Sequence, residues 1–141
     1  MKKYLFIPLI LAILIACSKD KRAAKRIDGS WELISMKYYD DENFLHYPVA
    51  EGLFEATTNS ENQINYTFHL EFDYADSLYI EDQFGTIKFK EKASVMELSV
   101  YTADTFYVQT QTVFALNKTD LKVDFIDIDG RKRVYTFLKK D

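Results

Sequence analysis

Tyr66-Thr-Phe-His-Leu-Glu-Phe-Asp-Tyr74 alternates apolar and polar residues without a break. Tyr66, Phe68, Leu70, Phe72 and Tyr74 share one parity, and Thr67, His69, Glu71 and Asp73 share the other. Successive side chains of an extended strand point to opposite faces, so this stretch predicts a strand with one face buried and one in water. The same period recurs downstream. Met96, Leu98 and Val100 alternate with Glu97 and Ser99, and Leu121, Val123 and Phe125 alternate with Lys122 and Asp124. In 104–116, Phe106, Val108, Phe114 and Leu116 fall on one parity, with Gln109 and Gln111 on the other. That pattern predicts the phenylalanines inward. Trp31-Glu-Leu-Ile-Ser-Met36 is apolar on both parities and does not declare its inward face.

Turn-forming residues punctuate these runs at 74–77, 102–104, 117–120 and Asp129-Gly130. Eight strands are expected, near 30–39, 64–74, 77–82, 84–91, 94–102, 104–116, 119–128 and 131–139. Short strands joined by tight turns imply an all-β antiparallel barrel, or a two-sheet sandwich built from the same strands. A barrel of about eight strands has an interior filled by side chains or holding one small ligand. Asp40 to Gln63 is the exception, a long connection with a short helix expected at Pro48–Ala56, where Pro48 suits a first turn. Connections of this length are commonly functional, so 40–63 is a candidate lid.

The chain opens differently. Met1-Lys2-Lys3 is cationic, and Tyr4 to Ile15 is apolar, broken only by Pro8. As a helix this run spans roughly 18 Å, too short for a bilayer core of about 30 Å. Charge, a short apolar stretch and then small residues form the pattern of a secretory signal. Its end, Leu14-Ile15-Ala16-Cys17, resembles the lipobox of bacterial lipoproteins. The resemblance implies cleavage between Ala16 and Cys17 and a diacylglyceryl thioether on Cys17. It places the protein in the envelope of a Gram-negative bacterium, lipid-anchored at the outer membrane and facing either the periplasm or the cell surface. Residues 1–16 are then the signal, 17–26 a lipidated cysteine with a polar tether, and 27–141 the domain. The tether, Ser18 to Arg26, carries five basic residues and one acid. It is read as a flexible spacer, or alternatively as a basic stretch held against anionic head groups.

Cys17 is the only cysteine, so no disulfide forms within the chain. Loss of Lys2 and Lys3 lowers the 18 basic residues to 16 against 22 acidic ones, a net charge of −6. That balance argues against nucleic acid as a partner.

Gly29-Ser30-Trp31 matches the Gly-x-Trp that opens the first strand of lipocalins. Phe114 through Val123, Asp129-Gly130 and an aromatic in the last strand, Phe137, match that family's usual ending. Over roughly 27–139 the chain resembles the lipocalin-like domains of small bacterial lipoproteins. The resemblance implies an up-and-down barrel closed at one end by Gly29 and Trp31. It also implies a basic side chain from the last strand packed on the tryptophan, either Arg133 or Lys139. One fold hosts many functions, so the resemblance gives a ligand only loosely.

Nothing in the sequence assembles a catalytic centre. There is no Gly-x-Ser-x-Gly, no phosphate-cradling loop and no thiol beyond Cys17. His69 with Glu71 and Asp73 is a conceivable metal set, but a solvated strand face accounts for it better. Asp127-Ile-Asp129-Gly130 lacks the distal glutamate of a calcium loop and reads as a hairpin turn. Asp76-Ser77-Leu78 resembles a short O-glycosylation motif, and a turn explains it equally well. No enzyme activity, metal or cofactor is expected.

Two functions follow. In the first, the anchored domain holds a small apolar ligand in a cavity lined by Phe68, Leu70, Phe72, Met96, Leu98, Phe106, Phe114 and Phe125, under the 40–63 lid. In the second, the barrel is filled and its outer surface contacts another envelope protein or a polysaccharide, through a patch such as Phe44, Tyr47 and Phe54.

Overall fold

A computed structural model describes residues 19–141. The expected signal, cleavage site and lipid site, including Ala16 and Cys17, lie outside the described residues. Residues 19–27 form a helix, α1. Nine strands follow: β1 Gly29–Tyr39, β2 Leu45–His46, β3 Ala50–Thr58, β4 Ile64–Tyr74, β5 Ser77–Lys90, β6 Val95–Tyr101, β7 Phe106–Leu116, β8 Asp120–Ile126 and β9 Lys132–Lys139. Every pairing is antiparallel, and β9 returns to β1 along Trp31↔Lys139 through Tyr38↔Arg133. That closure makes an eight-stranded barrel with β2 as a short extra strand, and it rules out the sandwich.

The strand count agrees with the sequence for partly compensating reasons. Runs 77–82 and 84–91 are one long strand, β5, which pairs with β4 from Ser77 to Ile87. The helix expected at Pro48–Ala56 is instead β3, paired with β4 over nine positions from Ala50↔Phe72 to Thr58↔Ile64. The ladder offered by β4 overrides a weak local helical pattern. Phe54 and Ala56 thereby become core, so Phe54 belongs to no surface patch. With β2 and β3 formed, 40–63 is not a lid. What remains of it is a turn at 40–44, a short link at 47–49 and a turn at 59–63.

β1 shows why its inward face was illegible. Its register against β9 shifts between Leu33 and Ser35, a bulge. One extra residue reverses the parity. Trp31 and Leu33 point inward before the bulge, Met36 and Tyr38 after it, and Ile34 is left outside. β7 departs from expectation more sharply. Gln109 and Gln111 are the buried residues, while Phe106 and Phe114 are 54% and 60% exposed. Both phenylalanines must therefore be removed from the cavity lining. Opposite β7, Leu98 and Phe125 are inward and pair with Gln109 and Gln111, which fixes that parity as the interior one. A second register shift, between Val113 and Ala115, lies beside Phe114.

The stretch read as a flexible tether is folded from Lys19 onward. Ala23, Ala24 and Ile27 of α1 are buried, and Ile27 is fully so. α1 stops one end of the barrel. The Trp31 indole donates to the Ile27 carbonyl at 2.7 Å, and Thr58 donates to the Ala24 carbonyl at 3.2 Å. Lys139 decides the question of the basic residue on the tryptophan. Its ammonium lies 5.1 Å from the Trp31 ring centroid and donates to the Arg26 and Asp28 carbonyls at 3.1 and 2.6 Å. A cation there satisfies carbonyls at the negative end of the helix dipole. Gly29 makes room for it: a Cβ at this position would lie 2.9 Å from the Lys139 Cε. Ile27→Ala is expected to cost about 2–5 kcal/mol, as cavity formation at a fully buried aliphatic does. Urea unfolding would check this. A loss below the lower bound would mean that α1 rests on the barrel without plugging it.

Candidate functional site

The barrel interior changes character along its axis. Near α1 it is apolar, built on Trp31, Phe54, Ile64, Ile87, Phe89 and Phe137. In the middle, Phe68, Tyr135 and Phe125 meet ring to ring, with centroids 5.7 and 5.1 Å apart. The glutamines that the sequence pattern places on the outer parity gather toward the opposite end. Gln111 donates its amide to Gln109 at 2.7 Å, both buried. A small void of about 20 Å³ lies among Phe68, Met96, Leu98, Phe125, Tyr66 and these glutamines. It has space for one water and not for a carried molecule. Of the residues expected to line a cavity, Phe68, Met96, Leu98 and Phe125 reach this void. Leu70 and Phe72 are buried but do not line it. The Tyr66 hydroxyl also faces this region, fully buried and without a partner among the described residues. Burial, and then the neighbouring Tyr107, raises its pKa, so it stays a protonated donor. An unpaired buried hydroxyl costs stability, which marks it as a position where a hydrogen-bonding group is missing.

Above the void sits an ionic cluster. Arg133 is buried, yet its Nη1 donates to both Glu81 oxygens at 2.8 and 3.0 Å and to the Tyr135 hydroxyl at 3.1 Å. Its Nε donates to Asp127 at 2.9 Å. The guanidinium also lies over Phe72 and Tyr38, 5.5 and 5.8 Å from their centroids. Burial alone would lower its pKa, but Tyr135 and Glu81 together raise it above the ordinary value. Burial likewise holds the Tyr135 phenol protonated. Arg133 thus ties Glu81, Asp127 and Tyr135 into one connected network at the mouth. No local motif announces it, since Glu81 comes from within β5, Asp127 from the turn after β8 and Arg133 from the start of β9.

The mouth opens to one side. A cleft of about 400 Å³ runs between Ile80–Gln83 of β5 and the turns at 102–105 and 127–129, floored by Tyr107, Gln109, Phe125 and Arg133. Five carboxylates border it, namely Glu81, Asp82, Asp104, Asp127 and Asp129, against the single guanidinium of Arg133. Gln83, Gln109 and Phe125 line both cleft and void, so the two communicate.

The fold is a closed antiparallel β-barrel with one short extra strand. Among solved structures the chain is similar to a redesigned β-barrel, at 16% identity and a TM-score of 0.58, covering 85% of this chain and 96% of that one. It is also similar to a de novo designed fluorescence-activating β-barrel, at 18% identity and a TM-score of 0.56, covering 84% and 97%. A natural counterpart is the amine-binding protein of Rhodnius prolixus in its tryptamine complex, at 10% identity and a TM-score of 0.51, covering 80% of this chain and 63% of that one. These likenesses establish the fold. No family model and no curated protein matches the sequence.

On the outer wall His69 bonds Asp82 at 2.6 Å and Glu71 at 3.1 Å. No metal-binding group of three His, Cys, Asp or Glu residues occurs among the described residues. Asp82, then Glu71, raises the His69 pKa. A raised folded-state pKa gives stability that is full below the ordinary histidine value of about 6.5 and is lost as pH rises through the folded value. NMR titration is expected to place the His69 midpoint above that ordinary value, and Asp82→Asn to bring it down. An unchanged midpoint in the variant would remove Asp82 as the cause.

Proposed function

We propose that the protein is a lipid-anchored, non-enzymatic envelope protein of the lipocalin-like kind that binds a small molecule at the mouth of its barrel. The observation that carries this reading is the cleft that leads from solvent to an aromatic interior with an unpartnered Tyr66 hydroxyl. A ligand would lay an apolar body against Phe125 and Tyr107 and direct a hydrogen-bonding group inward to Gln83, Gln109 and Tyr66. The barrel core is too full to hold a ligand deeper, so Phe68 supports the floor of the site from below. The similarity in fold to a fluorescence-activating barrel and to an amine-binding protein in its tryptamine complex supports a small-molecule ligand. The anchor rests on the lipobox-like Leu14-Ile15-Ala16-Cys17. Cys17→Ser is expected to abolish palmitate labelling and move the protein out of the membrane fraction.

Native mass spectrometry of the full chain from its own organism tests the binding. A single reproducible added mass is expected, and Gln109→Trp, which fills the passage from cleft to void, should abolish it. A clean unliganded mass in every preparation would refute the small-ligand reading. The alternative is an interaction module with a filled barrel. It draws support from an exposed outer cluster in which Tyr101 stacks on Phe84 and meets Phe106 at a tilt, with centroids 5.6 and 4.7 Å away.

A further inference from the structure

β5 is twice as long as its neighbour β6. It pairs with β4 from Ser77, but with β6 only from Phe84 onward. Ser77–Gln83 therefore runs past the end of β6 with one side unpaired. The β4–β5 turn fixes which groups are affected. Ala75 and Asp76 both have positive φ, the signature of a two-residue hairpin in which Tyr74 and Ser77 form a hydrogen-bonded pair. Alternate residues then bond the same neighbour, so Ser77, Tyr79, Glu81 and Gln83 direct their main chain to β4. Leu78, Ile80 and Asp82 direct N–H and C=O into the cleft, where β6 would continue had it not turned at Thr102.

Proteins usually blunt such an edge with lysine, proline, a bulge or a cover. This one carries apolar side chains instead: Leu78 is 60% and Ile80 58% exposed, continuing the outer aromatic cluster at Phe84. The other side of the same edge is acidic. Arg133 is occupied by Glu81 and Asp127, while Asp104 and Asp129 make no ion pair among the described residues.

We propose that the β5 overhang, Leu78–Asp82, is a docking edge for an extended basic segment of a partner protein, which adds as a strand in line with β6. Main-chain bonds to Leu78, Ile80 and Asp82 give register. Alternation in the added strand sends one set of its side chains outward, beside Leu78, Ile80 and Phe84, and the other inward, over Asp104 and Asp129. The partner segment is thus one that alternates apolar residues with lysine or arginine. The added strand would lie in the small-molecule cleft itself, so the two occupants would compete for it.

The test uses the full-length chain in detergent and a synthetic peptide of alternating valine and lysine, with a valine–glutamate peptide as control. Isothermal titration is expected to show binding of the lysine peptide only, weakening as salt rises. Ile80→Pro deletes an N–H that faces the cleft and leaves the β4 ladder untouched. It should weaken the peptide by about tenfold or more, the worth of a lost main-chain bond and a bent edge. Asp104→Asn with Asp129→Asn, both surface changes, should flatten the salt dependence while the melting curve holds. The proposal is overturned if the lysine peptide does not bind, if it binds Ile80→Pro as well as wild type with both folded, or if the control peptide binds equally. Light scattering on the chain alone adds one further outcome: a dimer abolished by Ile80→Pro would assign the edge to a second copy and overturn the basic partner. Whether a small molecule co-purifies is read separately, by native mass spectrometry of the chain without peptide.

Discussion

Gly85→Ala is expected to prevent the barrel from closing in its native register. A Cβ at this position would lie 1.7 Å from the Ser99 carbonyl oxygen and 3.3 Å from the Tyr66 ring. The first neighbour is main chain on β6 and has no rotamer to escape into. β5 and β6 must separate at Gly85↔Val100, the pair next to the last one they make before the overhang. Glycine here serves a close approach of two backbones, which is a common reason to find it inside a strand. The expected cost is about 3 kcal/mol or more, at the upper end for steric insertion into a packed site. Thermal and urea unfolding of Gly85→Ala would measure it, with Gly52→Ala for comparison. At Gly52 the added atom would meet its neighbours at 3.2–3.3 Å, so a smaller loss is expected there. Equal losses at the two positions would show that the β5–β6 approach is not special.

The second large effect is expected at Arg133. Among the described residues Arg133 is the cation facing Glu81 and Asp127 in the mouth, and Arg133→Met strands the buried Asp127 carboxylate beside the part-exposed Glu81. Asp127 is as buried as Arg133. It holds the β8–β9 turn as well, since its other oxygen accepts from the Asp129 and Arg131 amides at 3.0 and 2.9 Å. Breaking a buried pair from one side typically costs about 3–5 kcal/mol, because the remaining charge is uncompensated. Arg133→Lys should recover little, since one ammonium cannot reach Glu81, Tyr135 and Asp127 with the geometry of a guanidinium. Adding Glu81→Gln to Arg133→Met should recover part of the loss by removing one stranded charge. Denaturant melts of the three variants would decide. If Arg133→Met melts like wild type, the cluster is a surface ornament and the mouth is wetter than its burial implies.

Much of the barrel was legible because several strands keep a clean period of two. β4, β6 and β8 each bury the side that their alternation names, and Phe68, Leu70, Phe72, Met96, Leu98 and Phe125 are all interior. The failures share a cause. A bulge changes which parity faces inward, and no local pattern announces it, so β1 read as ambiguous. β7 misled because its apolar parity faces solvent and its glutamines face the core, where Gln111 satisfies Gln109. A pair of amides that bond one another looks in sequence like a wet surface. α1 was missed because two alanines and one isoleucine among five basic residues make a faint stripe. Its burial depends on a barrel end that exists only after β1 and β9 meet. The ionic cluster at the mouth was invisible for the same reason, since it needs Glu81, Asp127 and Arg133 to converge from distant parts of the chain.

α1 is already helical at Lys19, and in sequence only Ser18 separates it from Cys17. With lipid on Cys17, as proposed, one residue links the anchor to α1, so the plugged base of the barrel would lie close to the head groups. The exposed lysines and arginines of α1 would then lie near the bilayer surface. Strands of this length, tilted as barrel strands are, would lift the open rim on the order of 30 Å above it. Such an upright posture points the acidic rim at what passes in the aqueous space, beyond the reach of molecules still embedded in the membrane.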